Sequence, residues 1–185
     1  MFYDSLRVLH HLLLETNGVD YLMLFISGIL LLLLAIVYLS IDIDALNCRI
    51  RAVLKNGLVL LFLCYCVYFI VSITLLRRSP SESKIVLIPF TWVFKDGGDS
   101  FKSILYDVLN ILLFVPFSFF LSSFDFGWSS KTTAIISIVV SLLFSFCIEA
   151  IQYVFALGTF EMEDIICNSF GGVIGSLFAI GCSKN

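Results

Sequence analysis

Three pairs of residues in the second half of the chain set a carboxylate beside a carboxamide at helical spacing: Asp107 with Asn110, Glu149 with Gln152, and Asp164 with Asn168. Separations of three or four residues put both members of a pair on one helix face. Such pairs offer several hydrogen-bond acceptors and two donors, a set suited to sugar hydroxyls or amides. If the three faces converge they form one polar pocket, and these six residues are its expected ligand-binding set. Glu149 and Asp164 also carry a second chemistry. A desolvated Glu149 is a candidate general acid or base, with Asp164 as its ionised partner. No nucleophile, metal set or phosphate-binding loop accompanies the two acids, so binding leads and catalysis is the alternative.

Each of these residues also has a plainer reading. Asp107 and Asp164 sit where a helix N-terminus favours an acid, by about 0.3–1 kcal/mol. Gln152 and Asn168 suit interhelical hydrogen bonds averaging about 0.6 kcal/mol. Glu161 and Glu163 are expected to be solvated acids of the same helix start. Glu149 resists such a reading, because a charge at mid-membrane costs at least about 2.5 kcal/mol.

The setting makes these groups conspicuous. Of the 185 residues 60% are hydrophobic and only 14% are charged, with a mean hydropathy of +1.06. Soluble domains run at about 45–50% apolar and about 25% charged. The chain is therefore read as a small polytopic membrane protein. A net charge of −3 leaves no basic footprint for nucleic acid. Five of the six cysteines lie in apolar stretches and are expected to behave as small hydrophobes. Cys64 and Cys66 have C-x-C spacing rather than that of common zinc sites, so no disulfide, metal or cofactor is expected. His10 and His11 read as an interfacial pair rather than ligands.

Along the chain, residues 1–20 gather Leu6, Val8, Leu9, Leu12, Leu13 and Leu14 on one helical side and predict a short interfacial helix. The next apolar run is too long for a signal peptide and lacks an A-x-A close. Apolar runs predict spans over 21–41, 58–76, 134–155 and 165–182, the third of which contains Glu149 and Gln152. The run 108–123 reaches only about 24 Å as a helix and contains Pro116, so it is either a kinked span or a re-entrant helix. Residues 85–94 include Pro89 and are too short to span. They are expected at the interface or dipping in as a re-entrant piece held by Trp92, before a turn over 95–99.

The expected fold is thus an all-α integral membrane protein, a compact bundle of about five transmembrane helices. Residues 1–76 supply the interfacial helix and two spans, and 77–185 supply the rest. Lys and Arg divide six against five between the two sides, which fixes no orientation. Gly171 and Gly175 form a G-x-x-x-G pair, and Gly172 with Ser176 forms a second small pair, so close helix contact is expected there. Pro116 frees a carbonyl that needs a partner, for which Ser118 or a neighbouring polar group is the candidate.

Taken in order, several pieces resemble the VanZ-like family of membrane proteins. They are Ile88-Pro89-Phe90, the stretch from Asn110 to Phe117, Glu149 to Gln152, and Gly158 to Gly172. The resemblance covers about 85–182, and the first two spans match only in being hydrophobic. It implies a bundle of four or five spans in the bacterial cytoplasmic membrane and a role at the cell envelope. It further implies a link to teicoplanin-type glycopeptide resistance. The pattern departs in three places: Leu157 stands where an Arg often precedes the Gly-Thr-Phe turn, Ser118 where a Gly often follows Pro-Phe, and Glu163-Asp164 where Asp-Asp is usual. Without that Arg, Glu149 lacks its obvious cationic partner.

Membrane lipids or lipid-linked envelope precursors are the expected partners, with a homo-oligomer as a further option. An intramembrane enzyme acting on a lipid-linked substrate is the alternative. A small proton-coupled transporter is another, although a chain this short without repeats would need an oligomer to build its path. A purely structural bundle is the remaining reading, in which neutralising Glu149 stabilises the fold or does nothing.

Overall fold

A computed structural model of the chain describes residues 48–90 and 100–183. The expected interfacial helix, the span over 21–41, His10, His11, Trp92 and the turn over 95–99 lie outside the described residues. Four helices account for most of what is described. Helix α1 is Cys48–Val71 and continues as a π-helical turn over Ser72–Leu76; α2 is Ser100–Ser123, α3 is Ser130–Val154 and α4 is Met162–Ser183. Two short strands, β1 (Ile85–Val86) and β2 (Phe160–Glu161), precede α2 and α4.

All four helices are long and apolar enough to cross a membrane, by length and composition. Their burial is inverted relative to a soluble domain. Leu60, Leu112, Leu143, Leu177 and Phe178 are exposed, whereas Ser118, Ser137, Ser141, Ser145, Ser176, Glu149 and Gln152 are buried. Hydrocarbon accepts the leucines outside and rejects unpaired polar groups, so polar groups gather between helices. A small aromatic core accompanies them. Phe114, Phe117 and Phe144 meet at centroid distances of 5.3 to 5.9 Å and pack beside Ile70 and Ile148.

Helix α2 settles the nature of the third apolar run. Its 24 residues are continuous through Pro116 and reach about 36 Å, enough to cross about 30 Å of hydrocarbon. The run is a full helix and not a re-entrant half. The charged first turns, which hydropathy alone discounts, supply the missing length. Ser118 does not serve its own helix either: its hydroxyl donates to the Gly172 carbonyl at 2.7 Å and shares a hydrogen bond with Ser176 at 2.6 Å.

Consecutive helices alternate in direction, so α2 and α4 run parallel and form the most extensive contact in the bundle. The glycines of α4 make this possible. A Cβ at Gly171 would overlap the Ile111 carbonyl oxygen, and one at Gly175 the Val115 carbonyl oxygen. Gly172 faces α3, where a Cβ would come within 2.7 Å of the Ser141 side chain.

The segment after α1 is extended and not helical. β1 pairs in parallel with β2, Ile85 opposite Phe160 and Val86 opposite Glu161. Around that pair the Ser81 N–H donates to the Ala156 carbonyl at 2.7 Å, the Ser83 hydroxyl to that of Tyr153 at 2.9 Å, and the Phe160 N–H to that of Lys84 at 2.8 Å. The strap therefore crosses the end of the bundle where α3 turns into α4. Ile85, Leu87 and Ile88 stay exposed along it, in keeping with an interfacial position.

Candidate functional site

The end of the bundle beneath the strap collects the three carboxylate–carboxamide pairs. They arrive on the first turns of α2 and α4 and the last turns of α3, elements that this topology brings together. Between α2 and α4, Asn110 Nδ2 donates to Asp164 Oδ1 at 2.8 Å. The Cys167 thiol, one turn below, hydrogen-bonds Asp107. Between α3 and α4, Asn168 Nδ2 donates to the Ser145 hydroxyl at 2.8 Å. Glu149, only 2% exposed, accepts the backbone N–H of Glu161 at 2.9 Å. Gln152, 1% exposed, reaches back to α1 and donates to the Thr74 carbonyl at 2.9 Å.

These bonds link the pairs into one neighbourhood. Glu149 is within electrostatic reach of Asp164, Arg78 and Glu161, and Asp164 is within reach of Asp107 and Glu163 as well. The structure thus brings all six expected residues to one end of α2–α4, with Asn168 deepest. Glu161 and Glu163 depart from expectation. Both are half-buried rather than fully solvated, because the strap partly covers them. Glu163 accepts the Phe90 N–H at 2.8 Å, and burial raises the Glu161 carboxyl above its ordinary value, with Glu163 adding to the rise and Arg78 opposing it.

Arg78 is the residue that sequence reasoning missed. It follows α1 in the doublet Arg77-Arg78, visible in the sequence only as loop charge. Folding lays its guanidinium over Gly158, where a Cβ would stand 3.0 Å from Nη1 and 3.5 Å from Gln152 Oε1. A cation therefore faces this turn after all, from the end of α1 and against Gly158 rather than at position 157. Ser145 was also overlooked, although its spacing of four from Glu149 marks the same face.

Two atoms at this end are conspicuous. Gln152 Oε1 and Asn168 Oδ1 are buried and have no hydrogen-bond partner. Among the described residues, no three His, Cys, Asp or Glu side chains are grouped so as to hold a metal ion. At the opposite end, a cavity of about 540 Å³ is lined by Lys55, Ser122, Asp125, Trp128, Thr133 and Cys182, among others. None of the six expected residues lines it.

A four-helix bundle with buried acids beneath a strap defines a class, a small multi-pass membrane protein with a polar end. The family is defined by sequence. The family model described as VanZ/LLP1 matches residues 57–183, well over half the chain, and the chain belongs to that family. The match begins at Gly57, so it takes in part of α1 as well as the stretch from Ile85 onwards. Neither a curated protein nor a solved structure matches the chain.

Proposed function

We propose that the chain works at the bacterial cell envelope, in the cytoplasmic membrane, by binding the headgroup of a lipid or lipid-linked cell-wall precursor at its acid end. The observation that carries this reading is the pair of buried, unpartnered oxygens on Gln152 and Asn168, set among three acidic pairs that meet in space. A buried acceptor without a donor costs about 1–3 kcal/mol, a cost that a donor brought by a ligand removes. The remaining members have binding roles consistent with position: Asp107 and Asn110 hold the α2 wall, Asp164 the α4 wall, and Glu149 the α3 wall. A contribution to teicoplanin resistance belongs to the same proposal.

The test is genetic and needs equal protein levels. In cells whose envelope phenotype or teicoplanin tolerance depends on this protein, Glu149→Gln and Asn168→Ala should abolish the phenotype without lowering its abundance. Unchanged drug sensitivity and envelope behaviour in both variants would overturn the reading.

A further inference from the structure

The end of the bundle opposite the acids holds a cavity of about 540 Å³, a size within the about 300–1,000 Å³ of small-molecule sites. Its wall combines Lys55 from α1, Ser122 and Ser123 from α2, Asp125 and Trp128 from the following loop, and Thr133 from α3. A hydroxyl has one proton to donate, and the three hydroxyls named here spend theirs inside the fold. Ser122 donates to the Ser176 hydroxyl at 3.1 Å, Ser123 to the Phe119 carbonyl at 2.7 Å and Thr133 to the Ser129 carbonyl at 3.2 Å. What remains to them is acceptor capacity, so an occupant meeting these oxygens brings O–H or N–H groups of its own.

The charge around the cavity selects between those donors. Lys55 and Asp125 border it without an ion pair between them, and Asp125 Oδ1 instead accepts the Gly127 N–H at 2.9 Å. The first turn of α3 contains Lys131 and no acid, so the positive end of its macrodipole has no carboxylate on its own turn. Two lysines and a helix N-terminus against one carboxylate favour an anion and disfavour a further cation. Hydroxyl groups therefore suit the acceptors better than an ammonium does.

The neighbouring loop fixes the depth. Phe124 and Phe126 meet at a centroid distance of 4.6 Å, Phe126 and Trp128 stack at 5.1 Å, and both Phe126 and Trp128 are exposed. An exposed aromatic cluster that ends on an indole belongs at the membrane–water interface. Phe124 and Trp128 also line the cavity, which puts it at the level of lipid headgroups.

We propose that this cavity is a second lipid site, separate from the acid end, and that it takes an anionic headgroup made of a phosphate and a polyol. The phosphate lies against Lys55 and the start of α3, and the hydroxyls donate to Ser122, Ser123 and Thr133. A phosphatidylglycerol headgroup has both parts. Phosphatidic acid lacks the hydroxyls, and phosphatidylethanolamine puts a cation in their place. The proposal stands independently of the acid-end reading.

The full chain can be reconstituted in phosphatidylcholine discs with equal fractions of guest phosphatidylglycerol, phosphatidic acid and phosphatidylethanolamine, and retained lipid read by mass spectrometry of the intact complex. One charge-assisted hydrogen bond predicts about tenfold preference for phosphatidylglycerol over phosphatidylethanolamine. Lys55→Gln should cut that preference about fivefold, and because Lys55 is exposed the unfolding midpoint should not move. Thr133→Val keeps the shape of the side chain but removes an acceptor, and should narrow the margin over phosphatidic acid by about fivefold. Displacement of the guest by soluble glycerophosphoglycerol supports the same chemistry with a free compound as its source. Equal retention of phosphatidylglycerol and phosphatidic acid overturns the polyol assignment, and selective retention of phosphatidylethanolamine overturns the anion assignment. A phosphatidylglycerol preference untouched by Lys55→Gln overturns the cavity as the site; if Glu149→Gln erases it instead, the retained lipid belongs to the acid end. Equal retention of all guests by the wild-type protein overturns this proposal alone, because the acid-end reading is tested by the envelope phenotype.

Discussion

At mid-bundle, Ser118 donates to the Gly172 carbonyl and meets Ser176, while Ser137 and Ser141 each donate to the carbonyl one turn back at 2.8 Å. At the acid end, Gln152 and Asn168 each engage a nitrogen and leave an oxygen without a donor. Both regions are polar and buried. In the first, small hydroxyls saturate themselves on nearby backbone, so glycines and serines can close the helices to contact with nothing left over. In the second, longer side chains reach between elements and keep part of their bonding capacity open. Saturation marks a packing surface, and unsatisfied capacity marks a place where something else is expected to bind.

Substitutions separate the two regions by what they disturb. The largest effect is expected at mid-bundle, for Gly171→Ala, whose Cβ has a carbonyl oxygen in its way and no side chain that could yield. A loss of at least about 3 kcal/mol is expected in detergent unfolding, whereas Gly181→Ala, with open space around it, should stay within about 0.5 kcal/mol of wild type. If Gly171→Ala unfolds like Gly181→Ala, α2 and α4 are not held at contact distance.

Next in size is the acid-end bond between α2 and α4. Asn110→Leu removes the donor to Asp164 and should cost about 1.5 kcal/mol by the same unfolding measurement. The comparison is sharpened if this variant also alters lipid retention, which Gly181→Ala, and Gly171→Ala where it still folds, should not do.

Ser118→Ala is expected to be milder, about 0.6 kcal/mol, as for other interhelical hydrogen bonds in membranes. It should leave lipid selectivity intact; altered selectivity would show that mid-bundle is more than packing.

The smallest effect concerns Glu161. Its carboxyl is raised above the ordinary 4.5, chiefly by burial. The native state therefore holds that proton more tightly than the unfolded chain. Its contribution to stability is full below about pH 4.5 and is lost as pH climbs through the raised value. Glu161→Gln should flatten this part of the unfolding profile. An unchanged slope would mean that the strap does not bury the group in solution.

Much of this arrangement was legible in the sequence. Long uncharged runs announce spans because hydrocarbon tolerates little else, and each described run lies within a helix, with boundaries moved by a few residues where charged turns extend it. The three acid–amide pairs were legible through their spacing, as was the close contact of Gly171 and Gly175. Arg78 was not legible as a site residue, because its place depends on a strap whose pairing joins segments about 75 residues apart. No local pattern signals that Ile85 will lie beside Phe160. The partners of Ser118 and Gln152 were hidden for the same reason: both choices are made between helices, and Glu161 and Glu163 look solvated until the strap is laid over them.

The bond from Gln152 to the Thr74 carbonyl has a consequence for assembly. That carbonyl belongs to the π-helical turn that closes α1, near the helix end where in-helix donors run out. The group that closes it lies 78 residues further along the chain. Synthesis therefore delivers the turn long before its keystone. Arg77 and Arg78 leave α1 just after the turn that Gln152 closes, so the same contact that completes this helix end also sets the Arg78 guanidinium and the Gln152 amide on either side of Gly158.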